Sequence, residues 1–318
     1  MKRGIYFLAN DYVYELAVAF LNSFRKYNPE IPLCLIPFDS DSERVGNLQE
    51  RYGFSVYANR EVLSRCDEIS RNFHPKTIGH YRKLAAWEGD FDEFIYIDVD
   101  TVVLENIDFV FKFLAEYDFV TTHSGMPHLI QFVWKPSIFS GGKLNGEQIS
   151  YAANTGFIAG RKRAALYKDA IGKLDQALEH APHMEFACAE QAFLNYLIVT
   201  SERKYTSLYV LSLTGSHREI LFEHWAGIKV RGIKIKNGRV LMRGAPTPTL
   251  LVHWAGEWQP RSFDRVFYSL LRLLRIRTSE PPAIRFFMPY KKLWRYYRFM
   301  HEEGNRYTAN ILVEEGRL

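Results

Sequence analysis

Residues 93–111 read EFIYIDVDTVVLENIDFVF, and the first eight of them decide how the chain is put together. Phe94, Ile95, Tyr96 and Ile97 form a short apolar run rich in β-branched and aromatic side chains, which reads as a buried strand. Asp98 and Asp100 follow it directly. In an extended chain, residues two apart project to the same side, ~7 Å from one another. Two carboxylates placed side by side repel unless a counter-charge lies between them. A hard divalent cation, which prefers oxygen ligands, supplies one. D-x-D also occurs as a plain solvated strand end. Position favours the site here, because doubly wound sheets bind ligands beyond the carboxyl ends of their strands.

Working outward, GIYFLA (4–9), IPLCLIPF (31–38) and FSVYA (54–58) read as further strands. Between the first two, Leu16, Val18, Ala19, Phe20, Phe24 and Tyr27 give a helix over 14–27, ended by Asn28-Pro29. Residues 43–52 and 77–89 are also expected to be helical. Short strands alternating with helices predict an α/β fold with a mostly parallel, doubly wound sheet. Residues 123–150, rich in Gly, Ser, His and Pro, read as a long loop. Helices are expected at 161–179 and 188–198, and strands near 207–212, 228–235 and 249–253. HWAG occurs twice, at 224–227 and 253–256, with unrelated flanks.

At 318 residues, 47% hydrophobic and 15% aromatic, the chain can bury a sizeable core in one large domain, or in one domain with an appendage. No apolar run approaches the ~20 residues that span a bilayer. MKRGIYFLAND lacks the long apolar core of a signal peptide and reads as a first strand. Cys34, Cys66 and Cys188 lie far apart. They give neither a disulfide framework nor zinc spacing, and fit a reducing cytoplasm. The net charge is +5, but residues 261–318 hold 12 Lys/Arg against 6 Asp/Glu, a net +6 that leaves the rest at −1. Basic character confined to the tail argues against a nucleic-acid enzyme, so no nucleic-acid partner is expected. The chain has no P-loop, no dinucleotide G-x-G-x-x-G and no G-x-S-x-G elbow. A sugar nucleotidyltransferase would carry a glycine-rich loop after its first strand. LANDYVYE (8–15) has no glycine there.

Several separated segments, in order, resemble a known family. LANDYVYELAVAFLNSF (8–24), HYRKLAAW (80–87), YIDVDTVVLENIDFVF (96–111), AANTGFIAG (152–160), AEQAFLNYL (189–197) and LVHWAGEWQP (251–260) are similar to segments of retaining GT-A glycosyltransferases of family 8. That group includes glycogenin and the bacterial lipopolysaccharide galactosyl- and glucosyltransferases. The resemblance covers roughly residues 4–260 and implies a metal-dependent retaining transfer from a nucleotide-diphosphate sugar, a UDP-sugar. It implies that Ala9, Asn10, Asp11 and Tyr14 lie at the nucleotide base, with Tyr12 the alternative aromatic partner. Lys83 would reach the diphosphate. Asp98, Val99 and Asp100 would form the metal motif, with Gly156 and Gly256 also lining the donor. Asn154, Glu190 and Gln191 would take the catalytic positions beside the donor sugar. The second HWAG has Pro260 seven residues after its histidine, as the family pattern requires, and the first has none. His253 is therefore the expected third metal ligand. His224 would be structural or line the acceptor cleft. Two carboxylates and an imidazole favour manganese, with magnesium the alternative.

The chain departs from the family in three places. Gln259 stands where the family has a phosphate-contacting lysine, Arg261 being a candidate replacement. The tryptophan after the proline is absent. Glu190 is one methylene longer than the usual aspartate. Gln259 keeps open a rival reading, a non-catalytic nucleotide-sugar-binding or membrane-associated protein on the same fold. Retention could proceed by same-face attack or through a covalent glycosyl intermediate.

The expected organisation is a nucleotide-sugar-binding catalytic domain over 1–262 and a basic, aromatic, helical extension over 263–318. RVFYSLLRLLRIR (265–277) and FFMPYKKLWRYYRFM (286–300) interleave basic and apolar residues. A helix lying on an anionic membrane surface and a helix packed on the main domain are both consistent with them, and RNA binding is a weaker third reading. The expected location is cytoplasmic or peripheral at the inner face of the membrane. The acceptor could be a saccharide, a lipid-linked sugar or a protein, met by residues 123–150.

Overall fold

The computed structural model describes residues 1–141, 143–214, 222–226, 232–236, 239–243, 249–255 and 288–301. Among these, twelve strands follow one another: β1 (Arg3–Ala9), β2 (Leu33–Pro37), β3 (Phe54–Val56), β4 (Glu93–Asp98), β5 (Thr101–Val103), β6 (Phe119–Thr121), β7 (Phe157–Arg161), β8 (Tyr205–Ser207), β9 (Phe222–Trp225), β10 (Gly232–Lys236), β11 (Arg239–Arg243) and β12 (Thr249–His253). The chain divides into two compact units. The first comprises Met1–Tyr12, Ile31–Asp98 and Asp108–Phe222. The second comprises Val13–Glu30, Val99–Ile107 and Glu223–Leu318.

The first unit is α/β, built on a seven-stranded sheet of order β3-β2-β1-β4-β7-β6-β8. β1 runs parallel to β2 and β4, β2 parallel to β3, and β6 parallel to β8. Only β7 is reversed, antiparallel to β4 and β6. Ile5–Ala9 and Phe94–Ile97 are wholly buried, and full burial of each large apolar side chain contributes roughly 1.5–3 kcal/mol. Because β1, β2 and β4 are parallel, Ala9, Pro37 and Asp98 end on one edge. β7 starts on that same edge, where the Asp98 N–H donates to the Gly156 carbonyl at 2.8 Å.

The helix Arg60–Phe73 is capped by Asn59, whose side-chain oxygen accepts from the Val62 N–H, and it buries Val62, Leu63, Cys66 and Ile69. The segment expected to be helical over 77–89 is a 3₁₀ helix, Gly79–Glu88. A Cβ on Gly79 would lie 2.2 Å from the Phe38 carbonyl oxygen. Only glycine permits that approach, and Arg82 Nη1 donates to the Pro37 carbonyl at the end of β2 at 2.8 Å. The expected strand near 207–212 is corrected: β8 ends at Ser207, whose hydroxyl accepts from the Val210 N–H and starts a helix, Leu208–Leu213. Local capping overrides the apolar run there. Within 123–150, read as a loop, 3₁₀ turns run over Pro127–Phe132 and Pro136–Phe139. A helix over Gly146–Tyr151 follows, opened by an Asn145/Gln148 capping box.

The second unit holds the helix Tyr14–Tyr27, the sheet β5-β12-β9, the hairpin β10–β11 and the helix Met288–Arg298. β12 is antiparallel to β5, pairing His253 with Thr101. The Val103 N–H donates to Ser23 Oγ at 3.0 Å, which ties β5 to the first helix. The helix Met288–Arg298 buries Tyr290, Leu293, Trp294 and Tyr297, a stripe at helical spacing. It is fixed to Tyr14–Tyr27 by Asn22 Nδ2 donating to the Tyr297 carbonyl at 2.7 Å, by Lys26 Nζ donating to Tyr296 Oη at 3.2 Å, and by an Arg298–Glu15 ion pair. This part of the extension is a packed helix with its aromatic face turned inward. The 262/263 boundary and RVFYSLLRLLRIR lie outside the described residues. Among the described residues, no helix is long and apolar enough to cross a membrane.

Candidate functional site

In the first unit, the carboxyl edge of the sheet gathers most of the residues singled out in the sequence. The Phe38 N–H donates to the Ala9 carbonyl at 2.9 Å, holding the ends of β1 and β2 together. Asn10 Nδ2 donates to Asp39 at 2.7 Å. The Asp11 carboxylate accepts from the Arg44 and Val45 N–H groups at 3.0 and 2.9 Å. It thereby caps the short helix Glu43–Gly46, a role a carboxylate fills well against unpaired N–H donors. Tyr14 opens the helix Tyr14–Tyr27 of the second unit.

Lys83 lies at the centre of this edge, 2% exposed. Its Nζ is 2.7 Å from Glu190 Oε1 and 3.1 Å from Asp98 Oδ1. It also donates to the Thr155 carbonyl at 3.4 Å and stands 4.9 Å from the centre of the Tyr96 ring. Burial alone would lower the Lys83 pKa, but Asp98 and Glu190 reverse this and hold it above its ordinary value. Burial likewise would raise Glu190, yet Lys83 and, to a lesser degree, His80 bring its carboxyl below the ordinary value. Both groups are therefore charged. Tyr96 Oη donates to Asp98 Oδ1 at 2.5 Å.

Backbone and amides complete the cluster. Thr155 Oγ1 donates to Glu190 Oε1 at 3.2 Å, and the Thr155 N–H donates to Gln191 Oε1 at 3.4 Å. Asn154 Oδ1 accepts from the Gly156 N–H at 2.7 Å, holding its own loop. Asn195, one turn beyond Gln191, accepts from the Ala153 N–H at 2.7 Å and donates to the Ala153 carbonyl at 2.9 Å. It clamps the Asn154–Gly156 segment to the helix Gln191–Val199. Ala189, just before Glu190, has φ 53 and ψ −114. A non-glycine residue there is strained, and the surrounding contacts must over-determine it.

In the second unit, His253 ends β12 between two carboxylates. Its Nε2 is 3.1 Å from Asp100 Oδ1, and its Nδ1 hydrogen-bonds Glu223 Oε1. Trp225 Nε1 donates to the same Glu223 oxygen at 2.6 Å. The Trp254 N–H donates to the Asp100 carbonyl at 2.8 Å. Burial would lower the His253 pKa, but Asp100 and then Glu223 raise it well above the ordinary value. His224 is buried too, but its Nε2 bonds Tyr290 Oη at 2.7 Å. The two HWAG histidines thus lie on neighbouring strands, His253 beside Asp100 and His224 holding the last described helix. Gly256, Gln259, Pro260 and Arg261 lie outside the described residues.

Glu223 was missed in the sequence. An acid directly before the first HWAG gives no signal by itself, because its partner is thirty residues away. Thr155 and Asn195 were passed over for the same reason.

No family model and no curated protein matches the chain. Among solved structures, the apo structure of the bifunctional glycosyltransferase WbbM aligns with TM-score 0.51 and 10% identity, covering 99% of this chain and 52% of WbbM. This chain therefore spans about half of that protein's length. The galactosyltransferase LgtC, in complex with donor and acceptor sugar analogues, aligns with TM-score 0.49 and 14% identity over 89% of this chain and 99% of LgtC. The glycosyltransferase GlyE of Streptococcus pneumoniae TIGR4 gives 0.49 and 13%, over 99% of this chain and 63% of GlyE. Identities this low speak of fold alone. The mixed α/β, mainly parallel GT-A architecture is the one shared with WbbM.

Proposed function

We propose that the chain is a retaining glycosyltransferase of the family 8 kind, moving a sugar from a UDP-sugar to a saccharide, lipid-linked or protein acceptor. The observation that carries this reading is the buried lysine at the carboxyl edge of the sheet. Lys83, held by Asp98 and Glu190, places a permanent cation where doubly wound sheets bind their ligands. The fold shared with the glycosyltransferase WbbM supports sugar transfer in general.

In this proposal Asp98, Asp100 and His253 would hold a divalent cation, the ligand set that the family resemblance implies. The donor set of two carboxylates and a buried imidazole fits manganese, with magnesium the alternative. When bound, the cation supplies Lewis-acid stabilisation of the leaving diphosphate. Lys83 adds a second positive charge toward the same oxygens. Asn10, Asp11 and Tyr14 meet the base. Asn154, Glu190 and Gln191 orient the donor sugar, the Asn154 loop being held by Asn195 to the helix that Gln191 opens. Residues 1–262 carry this chemistry. The basic residues of 263–318 outside the packed helix Met288–Arg298 meet an anionic membrane surface, a reading supported by the net charge of +5 over 263–318.

UDP-sugar hydrolysis measured with and without manganese tests the proposal. Wild type should hydrolyse a UDP-sugar only with the metal, and a folded Asp100→Ala protein should not. Undiminished turnover by folded Asp100→Ala removes the metal assignment, and absence of any UDP-sugar turnover or UDP binding by wild type removes the transferase reading.

A further inference from the structure

We infer that Glu223 is a positioning residue for the metal ligand His253, and that the first HWAG copy serves to build it. The inference rests on the metal reading above. His253 has two ring nitrogens, and the cation can use only the one that faces Asp100. Glu223 settles which one that is. Its side chain is 0% exposed and takes the Nδ1 side of the ring, while Nε2 lies 3.1 Å from Asp100 Oδ1. A carboxylate only accepts, so it keeps the Nδ1 proton in place, and Nε2 is the nitrogen that gives up its proton and offers a lone pair when a cation binds. Its charge also makes the imidazole a stronger donor to a cation, as outer carboxylates do for metal-bound histidines.

Glu223 is itself fixed. Trp225 Nε1 donates to its Oε1 at 2.6 Å, two residues along the same strand. In a strand, residues i and i+2 face the same side, so Glu223 and Trp225 share one face of the sheet, where Glu223 meets His253, while His224 lies on the other and bonds Tyr290 Oη at 2.7 Å. The Ala226 N–H donates to the His253 carbonyl at 2.9 Å, which locks β9 beside the ligand strand. One four-residue stretch therefore does two jobs on its two faces. Glu223 and Trp225 orient His253, and His224 anchors the helix Met288–Arg298. The histidine of the first copy is not a second ligand; its neighbours support the ligand of the second copy.

Manganese binding by the whole chain, without donor, tests this by calorimetry and by the loss of the free-ion electron paramagnetic signal. Glu223→Gln keeps the shape and an acceptor oxygen but loses the charge. Its manganese Kd should rise about 10-fold, and that of Glu223→Leu about 100-fold, the range found for removal of partners behind metal ligands. Trp225→Phe should weaken binding by a smaller factor. Each is followed against pH, so that proton competition at His253 is separated from lost geometry, and thermal melts report folding. A folded Glu223→Gln protein whose manganese affinity stays within twofold of wild type at every pH overturns the inference. Should Glu223→Leu not fold, Glu223→Gln and Trp225→Phe decide it. Asp100→Ala separates the two readings. If wild type and Asp100→Ala bind manganese alike, the metal site itself is wrong; if only Asp100→Ala loses binding, Glu223 alone is misassigned.

Discussion

Lys83 Nζ and Glu190 Oε1 form a 2.7 Å ion pair in which neither side chain is more than 3% exposed. A buried pair of this kind adds little to stability as a unit, since desolvation offsets attraction. Breaking it from one side is costly, because the remaining charge is left in a poor solvent. Lys83 keeps Asp98 as a partner in Glu190→Gln, so the free energy of unfolding, read from urea titrations, should fall by less than the ~3–5 kcal/mol of a fully unpaired buried charge. The double variant Glu190→Gln/Lys83→Met should recover part of that loss. A Glu190→Gln protein as stable as wild type would mean that water, and not Lys83, solvates this carboxylate.

The same pair gives stability a pH dependence of known sign. Glu190 sits below its ordinary 4.5, held down by Lys83 and His80 against the effect of burial. A depressed carboxyl contributes stability that is present above the unfolded value and lost as pH falls through the folded value. The acid limb of the wild-type stability curve should thus extend below pH 4.5, and Glu190→Gln should flatten that limb. An identical acid limb in both proteins would remove Glu190 from the acid response.

The thiols respond at the other end of the scale. Burial pushes Cys34 up to about 11 and Cys66 up to about 12 from an ordinary 9.0. Neither forms appreciable thiolate near neutrality, and the thiolate is the reactive form. Alkylation of the native protein at neutral pH should be slow at both and fastest at half-buried Cys188, measured by mass spectrometry of digests. A raised thiol pKa contributes stability that is complete below the unfolded value, so stability should fall as pH rises from about 9 toward 12.

The tail divides by what its residues touch. Trp294 is 1% exposed against the second unit's core, so Trp294→Ala should cost about 3–5 kcal/mol. Arg265, Arg272 and Arg275 lie in the basic stretch outside the described residues. If that stretch meets anionic membranes, full-length protein should sediment with phosphatidylserine vesicles and release as salt rises. Changing the three arginines to glutamate should abolish the binding without moving the melting temperature. Equal binding by the triple variant would assign the charge to solubility alone.

Much of the sheet was legible because β1, β2 and β4 are uniform apolar runs, and D-x-D after the clearest of them marked the edge that matters. The helix over 14–27 was legible to the residue, since its apolar spacing ends at Asn28-Pro29. What escaped needed information that is not local. β7 was hidden inside AANTGFIAG, whose small residues give no strand signal but fit against β4. Ser207 turned an apparent strand into a helix through one side-chain cap. Gly79–Glu88 keeps helical spacing yet winds as 3₁₀ where Gly79 presses on the Phe38 carbonyl. The Lys83–Glu190 pair joins residues over a hundred positions apart, and no pattern of spacing announces it.

The two HWAG copies give the sharpest separation of roles. His253 lies beside Asp100 and ends the strand paired with β5, while His224 is bonded to Tyr290. His253→Ala deletes the nitrogen proposed to bind the cation, and losing one of three ligands should weaken manganese binding by two or more orders of magnitude, about 1.4 kcal/mol for each tenfold. It also leaves Glu223 buried without its histidine, so some stability should be lost as well. His224→Ala removes a buried hydrogen bond, whose loss costs about 1–3 kcal/mol where the partner is left unsatisfied. It should lower the melting temperature and leave manganese affinity near that of wild type. Calorimetry with manganese and a thermal melt of each variant read the two effects separately. The roles are exchanged if His224→Ala loses the metal while His253→Ala keeps it. Then the proline that follows only the second copy has no bearing on which histidine meets the cation.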